Sequence, residues 1–192
     1  MAVLSIKNGI VSRSMLVGNE PFSPSSFESI QTYTGNGTDT TMTFGSIPAT
    51  YSSLQLRCLS RGVAGASRIT MRFNGDATGY TTHNLSGDGL SATALGYADT
   101  GYLYLWQSVA DSSWAANILG AAIIDIHDYA STTLNKTVRC FAGMNNNTTS
   151  TYQGVALSSG VWIDTSAINS IAIGFDGAAF TTSTTFALYG VK

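Results

Sequence analysis

Apolar and polar side chains alternate with a period of two in several segments of this chain, most clearly at Leu54–Cys58 and Ile69–Phe73. Successive side chains of an extended strand point to opposite faces. Each of these segments therefore predicts a strand with one apolar and one polar face. A sheet with one buried and one solvated face is typical of antiparallel pairing, so the pattern favours antiparallel β-structure.

The same interpretation extends over the chain from Phe27 onward. Turn dipeptides such as Asn74-Gly75 and Asp176-Gly177 separate the segments, and they tolerate the positive φ of tight hairpins. Short, regularly spaced strands without a helical period predict an all-β sandwich or barrel. The predicted strands are Phe27–Tyr33, Thr40–Phe44, Ser53–Ser60, Ser67–Phe73, Thr81–Leu85, Tyr102–Trp106, Ile118–His127, Thr137–Met144, Gly154–Leu157, Ile168–Phe175 and Thr184–Val191.

Length and charge limit the class of protein. A chain of 192 residues that is 44% hydrophobic can bury the core of one domain. Only 10% of the residues are charged and the net charge is −2. Nucleic-acid binding is disfavoured, because it requires clustered basic residues.

The longest apolar run, Ile118–Ile124, is too short for a membrane helix and predicts a buried strand. No secretion signal is recognised at the N-terminus, so we expect synthesis in a cytoplasm and no membrane insertion.

The first 26 residues differ from the rest and are expected to form an extended arm. Pro21–Ser26 has the composition of a stiff linker, and the arm is too short to form a core of its own. We expect it to anchor the domain of residues 27–192 to another protein; alternatively, it adds an edge strand to that domain. The candidate anchoring residues are Val3, Leu4, Ile6, Met15 and Leu16.

Two cysteines, Cys58 and Cys140, occur in predicted strands and share a face with apolar neighbours. This placement favours buried free thiols, although a disulfide is open because the distance between the two Cα atoms is not set by sequence. Two cysteines without paired histidines do not provide four zinc ligands.

No catalytic constellation is recognised. Asp125 and His127 share a strand face, but the Gly-x-Ser-x-Gly elbow that would accompany a triad is missing from the sequence. Asn74, Asp76 and Asp88 could supply calcium ligands, yet they lack EF-hand spacing. We therefore predict no catalytic residue, no metal site, no cofactor and no enzymatic activity.

The aromatic residues are the best candidates for a binding surface. Tyr102, Tyr104 and Trp106 occupy one face of a predicted strand whose other face is Leu103 and Leu105. If the leucines face the core, the three rings face outward, as either a subunit interface or a surface for stacking sugars; alternatively, both faces are buried.

Other candidates come from nearby segments and from loops. We expect Asn74–Gly101 and Gly143–Tyr152 to act as long binding loops on the rigid scaffold. The further candidate residues are Tyr97, Trp114, Asn145 and Tyr152.

Several strings resemble a family of structural proteins from the particles of tailed bacteriophages. The strings are Ser26–Ile30, Phe44–Arg57, Ala122–Ile126, Ser159–Trp162 and Phe186–Gly190. The resemblance spans the chain from about Phe27 to the end. It implies a jelly-roll-like sandwich, commonly a homotrimer, that is exposed on a virion.

Three functional hypotheses are open, of which the first two agree with this resemblance and the third belongs to another class. The first is a non-enzymatic tail-fibre protein that is attached to other virion proteins through its arm and recognises a host-surface glycan. The second is a capsid decoration protein that stabilises the head. The third is a glycan depolymerase that uses Asp125, His127 or Asp164.

Overall fold

The structure, a computed structural model, describes residues 26–63, 65–66, 68–147 and 153–192. Twelve strands and no helix occur within these ranges. The strands are β1 (Phe27–Thr34), β2 (Thr41–Phe44), β3 (Ser53–Ser60), β4 (Arg68–Phe73), β5 (Tyr80–Gly87), β6 (Ala92–Thr100), β7 (Leu103–Trp106), β8 (Gly120–His127), β9 (Lys136–Met144), β10 (Gly154–Trp162), β11 (Ile171–Phe175) and β12 (Thr185–Val191). The predicted all-β class is confirmed.

The strands form two antiparallel sheets that pack face to face. The larger sheet has the order β1-β12-β3-β8-β9-β10-β5-β6, and the smaller has the order β2-β11-β4-β7. Strands β1, β12, β3 and β8 of the larger sheet and the four strands of the smaller sheet together have jelly-roll connectivity. Successive strands of this set alternate between the sheets, except β4 and β7, which pair within the smaller sheet, and the first strand pairs with the last. The remaining four strands widen the larger sheet beyond β8.

The core lies between the inner faces of the two sheets, and the period-two pattern places residues there. On β3, Leu54, Leu56 and Cys58 are buried, and on β4 Ile69, Met71 and Phe73 are buried. The polar residues between them on β3 face the outer surface. Exclusion of these apolar side chains from water is the main favourable contribution to folding.

The predicted Asn74–Gly101 loop is wrong, because most of this segment is the hairpin β5–β6. Strand β6 pairs with β5 from Gly87↔Ala92 to Tyr80↔Thr100. It was not predicted because Ala92–Gly96 has no apolar alternation, and its residues are exposed at the edge of the sheet. Backbone pairing with β5 fixes this strand without burying its side chains.

The interpretation of Ile118–Ile124 as a buried strand holds for one face only. Ala122 and Ile124 are buried, whereas Ile123 is 46% exposed on the outer face of the larger sheet. This apolar run therefore belongs to a strand with two apolar faces. Only the inner face, which packs in the core, is covered.

The N-terminal arm lies outside the described residues, and so do its candidate anchors Val3, Leu4, Ile6, Met15 and Leu16. The described chain begins at Ser26, whose carbonyl accepts a hydrogen bond from the N–H of Lys192. β1 then forms the edge of the larger sheet.

Tyr129 fixes the loop that precedes β3. Its side chain is fully buried, and its hydroxyl donates to the carbonyl of Pro48 at 2.6 Å and accepts the N–H of Tyr51 at 3.0 Å. A single hydroxyl thus satisfies two backbone groups of residues 48–51.

We expect Tyr129→Phe to lower the free energy of unfolding by about 1–3 kcal/mol, because the Tyr51 N–H loses its partner. Denaturant unfolding measures this change. Tyr189→Phe is the control, since the described residues give the Tyr189 hydroxyl no hydrogen bond, and it should change stability little. Equal effects of the two substitutions would contradict the role of Tyr129.

Both cysteines are buried free thiols, as predicted. Burial raises the pKa of Cys140 to about 12, and it raises that of Cys58 well above its ordinary value. The thiolate is the reactive form of cysteine, so neither side chain is available to a reagent in the folded protein.

Ellman's reagent at pH 8 should therefore label neither thiol in the folded protein, and both after unfolding in guanidinium chloride. The measurement is the absorbance of released thionitrobenzoate over time. Rapid labelling without denaturant would show that the core around these thiols opens readily.

Candidate functional site

Three aromatic side chains lie on the outer surface at β7, as predicted: Tyr104 and Trp106 belong to the strand, and Tyr102 directly precedes it. Leu103 and Leu105 are fully buried, whereas Tyr102, Tyr104 and Trp106 are half-buried. The alternative that both faces of this strand are buried is excluded. Because the strand is extended, the burial of the two leucines turns Tyr104 and Trp106 to the outer surface of the smaller sheet. The ring centroid of Tyr102 lies 6.1 Å from that of Tyr104.

Contacts with the larger sheet hold β7 in place. The Thr82 hydroxyl on β5 accepts the N–H of Tyr104 at 3.3 Å. Gly160 on β10 permits a close approach, because a Cβ at this position would lie 2.5 Å from Cδ2 of Leu103. The other edge of β7 pairs with β4, with Arg68 opposite Trp106 and Thr70 opposite Tyr104.

Tyr97 joins these rings from β6, the edge strand of the larger sheet. Its ring centroid lies 5.2 Å from that of Tyr104 and 6.3 Å from that of Trp106, with a nearly parallel stack on Trp106. Tyr97 is a candidate from the sequence because it is close to β7 along the chain. The structure gives a different reason, which is that the β5–β6 hairpin lies beside β7.

Two arginines on β4 complete the group. The Arg68 Cζ lies 4.5 Å from the ring centroid of Tyr104 and 5.1 Å from that of Trp106. The Arg72 Cζ lies 3.6 Å from the ring centroid of Tyr102. These distances are within the range of cation–π interactions. We call Arg68, Arg72, Tyr97, Tyr102, Tyr104 and Trp106 the aromatic–arginine cluster.

The arginines are oriented by further polar contacts. The Arg68 guanidinium donates to Asp176 Oδ2 at 2.5 Å and to the Tyr97 hydroxyl at 3.4 Å, and Arg72 Nε donates to the carbonyl of Gly101 at 2.6 Å. These arginines are not among the site residues predicted from the sequence. The sequence feature that could have identified them is the alternation in Ile69–Phe73. It places Arg72 on the solvent face of the strand, and the same alternation extended by one residue places Arg68 there.

The remaining candidates do not belong to the cluster. Trp114 lines a separate hollow of about 340 Å³ with Val109 and Met144, and the described residues give it no ring contact with the cluster. Asn145 is exposed after β9, where its side chain accepts the N–H of Asn147. Tyr152 lies outside the described residues.

Among the described residues, no hydrogen bond or ion pair joins the three residues considered for catalysis, Asp125, His127 and Asp164, to one another. Asp125 and His127 share the outer face of β8, and Asp125 accepts a hydrogen bond from Gln55. Asp164 follows β10, and the N–H of Ser166 lowers its carboxyl pKa. The indole N–H of Trp162 likewise lowers the carboxyl pKa of Asp76. Neither of these two carboxyls has the raised pKa that a glycosidase general acid requires.

The oxygens considered as calcium ligands have internal partners. Asn74 Oδ1 accepts the N–H groups of Asn169 and Ser170, and Asp88 Oδ1 accepts those of Leu90 and Ser91. In the described part of the chain, no group of three His, Cys, Asp or Glu residues is placed to hold a metal ion.

Within the described ranges, no helix has the length and apolarity to cross a membrane. Comparisons with protein-family models, with curated proteins and with solved structures find no match for the chain.

We expect Arg68→Met to lower the free energy of unfolding by about 0.5–2 kcal/mol, because Tyr104 and Trp106 lose a partly desolvated cation over their rings. Lys192→Met is the control, since Lys192 forms an exposed ion pair with Glu28 and such pairs contribute little. Denaturant unfolding of both variants measures the difference. Equal stability of the Arg68 variant and the parent would show that the guanidinium does not hold the cluster together.

Proposed function

We propose that this chain is a non-enzymatic structural protein of a bacteriophage particle, of the tail-fibre type, and that its sandwich recognises a host-surface glycan. The observation that carries the binding part of the proposal is the aromatic–arginine cluster on the outer face of the smaller sheet. The sequence resemblance supports the setting on a phage particle, and the jelly-roll connectivity is consistent with it.

The chemistry of the cluster suits a ligand with both apolar and hydroxyl surfaces. Sugar rings present C–H faces that stack on aromatic rings, while their hydroxyls accept hydrogen bonds from guanidinium and phenol groups. Tyr, Trp and Arg are the residue types that dominate binding energies at protein surfaces. In this cluster they are already packed on one another, so little side-chain freedom is lost when a ligand binds.

The scaffold also suits a rigid recognition surface. β7 is fixed by pairing with β4 and by its contact with Thr82, and Tyr97 is supplied by a strand of the other sheet. Sites built on strands hold side-chain geometry better than sites built on loops.

A second candidate function, capsid decoration, is favoured by a different observation. The outer face of the larger sheet exposes several large apolar side chains, among them Phe141 and Leu157, and such a face suits contact with other protein subunits. Locating the polypeptide on intact particles by imaging separates the two functions, because a fibre lies at the tail and a decoration protein covers the head.

We expect the protein to bind at least one polysaccharide on an array of bacterial surface glycans, and Tyr102→Ala to weaken that binding about tenfold or more. Tyr189→Ala is the matched control, because Tyr189 also packs against an arginine, Arg57, but lies on the larger sheet. Its affinity should equal that of the parent.

Two results would contradict the proposal. One is binding to no glycan on the array together with no binding to intact bacterial cells. The other is glycan binding that Tyr102→Ala leaves unchanged, which would place the ligand elsewhere on the sandwich.

A further inference from the structure

The outer face of the larger sheet carries a continuous apolar surface that no described part of the chain covers. Its large side chains are between 46% and 57% exposed, which is unusual for neighbouring apolar residues on a monomer surface. These residues are Leu59, Leu85, Ile123, Phe141, Val155 and Leu157. They lie on β3, β8, β9, β10 and β5, which are consecutive strands of the sheet.

Strand register arranges this face in three rows that run across the strands. On the four strands β3, β8, β9 and β10, the middle row is Arg57, Ile123, Phe141 and Leu157. The row on one side is Leu59, Ala121, Gly143 and Val155, and the row on the other side is polar, with Gln55, Asp125, Arg139 and Ser159. We call these twelve residues the three-row face.

The size of this surface is close to that of a protein interface. With strands about 4.8 Å apart and side chains repeating about every 6.8 Å, the four strands and three rows span roughly 400 Å² in projection, and β5, where Leu85 is opposite Leu157, extends this to roughly 500 Å². The projected corrugation of the side chains increases this area toward the ~800 Å² that each partner buries in a standard interface. Two hollows of about 860 and 530 Å³ also lie on this face, and both are bounded by Ile123 and Phe141.

The pattern of the three rows is complementary to itself about one axis. A two-fold axis that runs along the strands, between β8 and β9, exchanges β8 with β9 and β3 with β10. In the apolar row, Leu59 then faces the partner's Val155. In the middle row, Ile123 faces the partner's Phe141. Arg57 faces the partner's Leu157, and its long aliphatic stem is suited to that contact.

The charged residues of the polar row are also complementary about this two-fold axis. Asp125 and Arg139 are opposite each other in the register of β8 and β9, yet the ion pairs among the described residues are Arg68–Asp176 and Lys192–Glu28. The two-fold axis places Asp125 against the partner's Arg139 and Arg139 against the partner's Asp125. Each charge is thereby paired across the interface, which fixes the alignment of the two copies.

We propose that a second copy of this chain packs on the three-row face, sheet against sheet, about this two-fold axis. The arrangement is an isologous interface with the aligned geometry of packed β-sheets. The aromatic–arginine cluster lies at the outer face of the smaller sheet, on the opposite side of the sandwich from the three-row face, so a dimer presents two clusters on its two far sides. The homotrimer implied by the family resemblance would have a different mass, and this difference can be measured.

The test is the mass of the full-length protein by light scattering and sedimentation over a range of concentrations. We expect two copies for the parent and one copy for Phe141→Asp. Leu90→Asp is the matched control, because Leu90 is 77% exposed in the β5–β6 turn, outside the three-row face. This variant should remain a dimer. Circular dichroism and thermal melting confirm that each variant is folded.

A charge exchange tests the axis itself. Arg139→Asp places a carboxylate opposite the partner's Asp125, and we expect the dimer dissociation constant to rise about tenfold or more. Adding Asp125→Arg to the same chain restores opposite charges, and the dissociation constant should return to within about threefold of the parent.

Three results would overturn the proposal. They are a single copy at every concentration, a mass of three copies, and a dimer that Phe141→Asp and Arg139→Asp leave intact. None of these results depends on glycan binding by the cluster, because the two surfaces lie on opposite sides of the sandwich.

Discussion

The burial of Leu103 and Leu105 is the constraint on which the candidate site depends. These two leucines complete the core where β7 lies over β5 and β10, and Gly160 makes room for one of them. Since an extended chain alternates its side chains, Tyr104 and Trp106 must then face outward. Packing of the two leucines in the core thus orients the aromatic rings on the outer surface, although these rings are not part of the core. Any change that rotates β7 would separate the residues of the cluster.

The two outer faces of the sandwich differ in chemistry for a structural reason. The smaller sheet ends at β7, and its outer face carries aromatic rings interleaved with arginines, which water and polar ligands can reach. The larger sheet is widened by β9, β10, β5 and β6, and its outer face exposes two mostly apolar rows beside one polar row. The outer face of the smaller sheet is suited to a polar ligand. The outer face of the larger sheet is more apolar, so its removal from water is the more favourable in free energy.

Much of the fold could be predicted from the alternation, and the exceptions have physical causes. Strands such as β3 and β4 follow the pattern because one face meets the core and the other meets water. β6 does not follow it, because backbone pairing with β5 holds a strand whose side chains are mostly exposed. The burial predicted for Ile118–Ile124 holds for one face only, and a strand with two apolar faces looks the same in sequence whether or not both are covered. In the cluster, the three rings of β7 were predicted, whereas Arg68 was found only once its register with Trp106 was known.

The sequence by itself determined that this chain forms antiparallel strands with an apolar side, buried thiols and an aromatic strand face. These properties depend on the order of neighbouring residues, because strand geometry is local. Only the tertiary structure decided which strands are neighbours, that Tyr97 meets Trp106 from the other sheet, and that the apolar outer face of β8 to β10 is uncovered. Those relations join residues far apart in the chain, and they arise from the packing of two sheets on one core, which local alternation does not specify.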